Sequence, residues 1–167
     1  MNVRRSRYRL AAASAVLLAV PLLSSCGVNF GAQTIQDYNP AVGVFDRSGA
    51  VDVVNALIVS GKNGSGTVVA TLVDNDQKHG DTLKKVTAGN TRNQDITGTV
   101  AGPTSIPAGG ILDLASSGGV SVKGPTIKPG AFIPLTFVFA HAKSIVLDVP
   151  VVSHDDPDYT KVPLPQS

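Results

Sequence analysis

Glutamate and tryptophan do not occur in this chain of 167 residues, and cysteine and methionine occur once each, as Cys26 and Met1. Each gap closes off some chemistry. All twelve acids are aspartate, a residue of turns and caps rather than of helix interiors, and seventeen glycines and eleven prolines push the same way, so helices are not expected. A single thiol cannot close an intrachain disulfide, and without glutamate or a second cysteine the supply of tunable acids and nucleophiles is thin. No Gly-x-Ser-x-Gly elbow occurs. An enzyme is therefore not expected.

Charge is unevenly placed. Arg4, Arg5, Arg7 and Arg9 precede an apolar run from Leu10 to Leu23, which Leu23-Ser24-Ser25-Cys26 closes. A basic segment followed by a short apolar one has the form of a secretory signal. The run is interrupted by Pro21 and falls short of the ~20 apolar residues that cross a ~30 Å hydrocarbon core. Its last four residues resemble the bacterial lipobox. That implies cleavage between Ser25 and Cys26, diacylglycerylation of Cys26, and a protein held by lipid on the extracytoplasmic face of the cell membrane. At ~0.8 kcal/mol per buried CH₂ one chain anchors only marginally, and a lipidated cysteine carries more than one. Cleavage would leave 142 residues with ten Lys/Arg against twelve Asp, turning a formal charge of +2 into −2. No basic surface then remains to neutralise phosphates, so nucleic acid is not an expected partner.

Residues 26–45 show little periodicity and are expected to be a tether, with 46–153 the folded domain and 154–167, carrying Pro157, Pro163 and Pro165, a tail. Strand signals begin at Val51 and recur at Thr67 to Val73, Thr82 to Ala88, Ile96 to Val100, Gly110 to Leu114 and Val120 to Lys123, separated by Gly/Pro/Asn turns. The last hairpin is the clearest element. Ile133, Leu135, Phe137 and Phe139 fall on one face of a strand, and Ile145, Leu147, Val149 and Val151 on one face of the next. These eight positions predict the centre of the core, and the spacing of short strands predicts an all-β, antiparallel sandwich.

From Val51 to Val152 the chain resembles the PCuAC-type periplasmic copper chaperones and related actinobacterial envelope lipoproteins. The resemblance lies in Val51-Asp52-Val53-Val54-Asn55-Ala56, Asp81-Thr82-Leu83, Ile106-Pro107-Ala108-Gly109-Gly110, Gly118-Gly119, Lys128-Pro129-Gly130, Pro134-Leu135-Thr136-Phe137 and Val149-Pro150-Val151. It implies a cupredoxin-like, immunoglobulin-like β-sandwich. It also implies a Cu(I) site of two histidines and two methionines, and here the chain departs. Ser121 stands where the family has a histidine and Lys123 where it has a methionine, and residues 86–103 contain neither type. Soft sulfur ligands select Cu(I), and a chain without Met1 and with Cys26 acylated has none free.

His79, His141 and His154 are the other candidate ligands, at spacings that form no metal-binding pair. Asp74-Asn75-Asp76 opens like a calcium loop, but Lys78 takes the third ligand position, His79 the required glycine, and no Glu closes it. Gly61 to Gly66 lacks the lysine of a phosphate loop and predicts a hairpin turn. The expectation is a non-enzymatic binding or accessory module of the cell envelope that holds no cofactor. It would meet an envelope protein through Pro107, Gly109, Gly110, Gly119, Ser121 and Lys123. The alternative is a copper chaperone or metal-binding protein with a His/Asp ligand set.

Overall fold

The computed structural model describes residues 42–88, 96–116 and 119–165. Cys26, the Ser25–Cys26 junction and residues 26–41 of the expected tether lie outside the described residues, while Val44 and Phe45 at its end belong to the first strand. Ten strands and no helix are found among those described. In order they are β1 (Val44–Asp46), β2 (Val51–Ser60), β3 (Ser65–Asp74), β4 (Asp81–Ala88), β5 (Thr97–Val100), β6 (Ser105–Ile106), β7 (Ile111–Asp113), β8 (Val120–Lys123), β9 (Phe132–Phe139) and β10 (Ile145–Ser153). Every strand expected from the sequence is present, and the very short β1 and β6 are additions.

One continuous path of hydrogen bonds runs β5-β8-β3-β2-β10-β9-β4-β6, with β1 beside β2 and β7 beside β3. The path is curled, and β5 comes to rest against β4: a Cβ on Gly98 would overlap the Val86 carbonyl oxygen. β10 joins the two halves. Ile145 to Pro150 pair antiparallel with β9, while Val151 to Ser153 pair parallel with Ile58 to Ser60 of β2. The sandwich is thus mixed, which corrects the antiparallel expectation. An alternating strand has the same side-chain pattern whichever way its neighbour runs, so the pattern alone cannot report direction.

The core lies where the last hairpin predicts. Phe137, Leu135 and Ile133 are buried against Val53 and Ile58 of β2, Leu72 of β3 and Leu83 and Val86 of β4. Seven of the eight predicted positions are buried, and Leu147 is half-buried at the cluster's margin. Each large apolar side chain so placed contributes ~1.5 to 3 kcal/mol. The Val51-to-Ala56 motif has a local purpose as well. Asn55 takes a φ of 54° where the β2–β3 register shifts between Val54 and Leu57. Asparagine tolerates that conformation better than β-branched residues do, and the bulge it forms resets which side chains face inward.

Residues 154–165, read from their prolines as a tail, are folded back onto the sandwich. Thr67 Oγ1 donates to the Pro163 carbonyl, a His154 ring nitrogen meets the Val162 carbonyl at 3.2 Å, and Leu164 packs beside Gly61. Val59, paired with Thr67, is fully buried on the face of β2 turned away from the main core. Proline stops a strand, but it does not stop a segment from packing.

Candidate functional site

The pairing of β4 with β9, with Leu83 opposite Phe139, brings the β3–β4 loop (75–80) beside the β9–β10 loop (140–144). Asp81, the first residue of β4 and only 6% exposed, fastens the two together. Its Oδ1 accepts the backbone N–H groups of Thr82 at 2.6 Å and of Ala140 and His141 at 3.1 Å, and its Oδ2 that of Ala142 at 2.7 Å. The His141 Nδ1 lies 3.4 Å from the same carboxylate. Burial raises the Asp81 pKa, and the N–H groups of Ala142, Thr82, His141 and Ala140 together outweigh it, holding the carboxyl below its ordinary range.

The β3–β4 loop is shaped by aspartates in the same way. Asp74 Oδ1 accepts the Asp76 N–H at 2.8 Å, and Asp76 Oδ1 accepts those of Lys78 at 2.8 Å and His79 at 3.3 Å. Asp76 Oδ2 lies 3.1 Å from His79 Nδ1. The Lys78 N–H first, and the His79 ring next, hold the Asp76 carboxyl low. Asp74 is 3% exposed, and its Oδ2 has no hydrogen-bond partner among the described residues. Such an orphan buried oxygen costs about 1–3 kcal/mol or more and calls for a partner.

Asp74, Asp76, His79, Asp81 and His141 line one cavity of about 630 Å³. The sequence separates its two histidines by sixty-two positions, and only the β4–β9 register brings them to one rim. Both rings are exposed, His79 by 79% and His141 by 81%. His154 is not part of it, because it lies by Ser60 at the far end of β2 from Val51, which borders the cavity. Among the described residues no three His, Cys, Asp or Glu side chains are arranged to hold a metal ion.

The six expected contact residues are divided between two places. Pro107, Gly109 and Gly110 form the turn before β7 and abut the β3–β4 loop: Gly109 N–H donates to the Asp76 carbonyl at 2.8 Å, and Asp74 N–H to that of Gly110 at 2.9 Å. Gly119 accepts from Ala101 N–H at 2.7 Å, while Ser121 and Lys123 belong to β8 at the opposite end of β3. There they line a second cavity of about 340 Å³ with Lys62, Ser65, Thr97 and Thr99. Register explains the grouping, since Lys123 lies between Ser65 and Thr97, and Ser121 between Thr67 and Thr99. Hydroxyls and ammonium groups stand where the resemblance implies Cu(I) ligands, and they do not fit that ion. The sequence singled out Asp74 only as the start of a failed calcium loop and Asp81 only within the Asp81-Thr82-Leu83 motif, and neither context shows a carboxylate that is buried and shapes a loop.

No protein-family model matches this chain, and no curated protein sequence matches it. Solved structures do. The apo PCuAC domain from PmoF1 superposes with a TM-score of 0.52 at 18% identity, covering 66% of this chain and 99% of that domain. The copper-bound PCuAC domain from PmoF2 superposes with a TM-score of 0.51 at 16% identity, covering 66% of this chain and 98% of its own. At these identities the likeness is one of fold: the chain has a PCuAC-like, cupredoxin-like all-β domain.

Proposed function

We propose that this chain is a non-enzymatic, PCuAC-like metal-handling domain held at the outer face of the cell membrane by lipid on Cys26. Its ion is a divalent one, Cu²⁺ or Zn²⁺, taken at the rim of the larger cavity. The observation that carries this reading is that His79 and His141 line one cavity together with Asp74, Asp76 and Asp81. Imidazole and carboxylate suit Cu²⁺ and Zn²⁺, whereas Cu(I) prefers the sulfur this chain lacks. The copper-bound PCuAC neighbour supports metal as the cargo class. Exposed rings reorient in picoseconds to nanoseconds, so both histidines can swing to a shared ion without disturbing the sandwich. Asp81 and Asp76 remain charged at neutral pH and serve as fixed negative charges, not as proton donors.

Calorimetric titration tests this on the mature chain carrying Cys26→Ser, with Cu²⁺, Zn²⁺ and Cu⁺ in separate arms. The expected result is saturable one-to-one binding of a divalent ion, weakened at least about tenfold by His79→Ala and by His141→Ala, one lost ligand being of that order. Tight Cu⁺ binding, or divalent binding indifferent to both substitutions, would remove the proposed ligand set. Absence of all binding would leave the envelope accessory module as the better reading.

A further inference from the structure

We infer that the second cavity, at the β8 end of the sandwich, binds an oxyanion: a phosphate group, free or on a lipid headgroup. The local chain builds it. Asn63 and Gly64, with φ of 60° and 67°, make the tight turn between β2 and β3 that sets Lys62 beside Ser65, and the Ser65 N–H reaches the Lys62 carbonyl at 3.4 Å. Two left-handed residues in succession suit the twist of a two-residue hairpin. Gly64 is required at its position also because a Cβ there would meet the Gly124 carbonyl oxygen at 2.5 Å. Lys123 lies opposite Ser65 on the neighbouring strand and Thr97 opposite Lys123 on the next, so two ammonium groups and a row of hydroxyls share one outward face.

Among the described residues, the charged side chains that line this cavity have one sign. Lys62 and Lys123 are among the lining residues, and among the described ones no aspartate is. Among the described residues neither lysine is paired with a carboxylate, and the hydroxyls of Thr97, Thr99 and Ser121 make no hydrogen bond. Ser65 is different, its hydroxyl donating to the Lys62 carbonyl at 2.8 Å. Two like charges around one hollow repel each other, and an anion between them removes that repulsion while accepting from the free hydroxyls. The mature chain carries a formal −2, so the positive character is local to this cavity rather than a property of the whole surface. Its 340 Å³ is small for a drug-sized molecule and roomy for a phosphate with one substituent. This inference does not depend on metal binding at the other end of the sandwich.

The test uses the mature chain carrying Cys26→Ser and two probes. Inorganic phosphate is titrated against the ¹⁵N-labelled protein, and vesicles of phosphatidylglycerol, with phosphatidylcholine as control, are co-sedimented with it. The free-ion source predicts saturable shifts confined to Lys62, Thr97, Thr99, Ser121 and Lys123. The headgroup source predicts retention on phosphatidylglycerol alone. In either case Lys62→Gln and Lys123→Gln should each weaken binding about tenfold, the effect of losing one charge-assisted hydrogen bond, with the melting temperature unchanged. Shifts that grow linearly with phosphate or extend equally to Lys143 and Lys161 would overturn the inference. So would vesicle retention that survives both substitutions, or no response to either probe.

Discussion

Asp81 accepts the backbone N–H of His141 at 3.1 Å across sixty positions of sequence, and with it the N–H groups on either side. One carboxylate therefore sets the position of a candidate ligand it does not resemble in sequence context. The β9–β10 loop owes its shape to a residue on a different strand.

Asp81→Ala should cost the fold about 3 kcal/mol, because four part-buried N–H groups lose a charged acceptor at once. Chemical denaturation measures it. Asp81→Asn keeps one acceptor oxygen and should cost less. A loss under 1 kcal/mol for the alanine variant would show that the loop is held by other contacts.

Acid should weaken the fold over a defined range. Asp81, Asp76 and Asp46, the last through the Ser48 hydroxyl and then the Ser48 N–H, all lie below the ordinary value of 3.8. A carboxyl with a lowered folded pKa adds stability above its unfolded value and loses that stability as pH falls through the folded one. Melting temperature should thus stay level from neutrality to about pH 5 and decline below about pH 4. In Asp81→Asn the decline should be shallower, and an unchanged acid limb would contradict the assignment.

Gly98→Ala should destabilise by roughly 2–3 kcal/mol, the scale of overpacking against rigid backbone. Its methyl would press on the Val86 carbonyl oxygen where β5 meets β4. Gly130→Ala serves as a contrast: a Cβ there meets nothing within 4 Å, and only the positive φ of 83° opposes it. A thermal melt of both variants separates steric closure of the sandwich from simple backbone strain.

Removing residues 154–167 should lower stability on the order of 3 kcal/mol, since Thr67 would lose its hydroxyl partner and the Leu164 side chain would leave its place beside Gly61. Unchanged stability, with no gain in binding of an apolar dye, would mark the segment as superficial.

Cys26→Ser should move the expressed protein from the membrane to the soluble fraction or arrest its processing. Fractionation followed by immunoblotting decides it, and undiminished membrane retention would argue against lipid on Cys26.

Much of this protein follows from its residues in order. The absence of glutamate and the glycine and proline content speak against helices, and Ile133 to Phe139 and Ile145 to Val151 announce a buried hairpin through a period of two. Asn63-Gly64 names its own turn. These features are local, so each is legible within a few residues. What tertiary structure decided is of another kind. The parallel pairing of β10 with β2, the separation of Pro107, Gly109 and Gly110 from Ser121 and Lys123 along β3, and the return of the C-terminal segment to Thr67 and Gly61 all depend on register and curl. His79 and His141 share a rim, and Asp81 reaches the β9–β10 loop, only because β4 lies beside β9. Alternation tells a side chain which face to take, but it carries no record of which strand will lie next to it or in which direction.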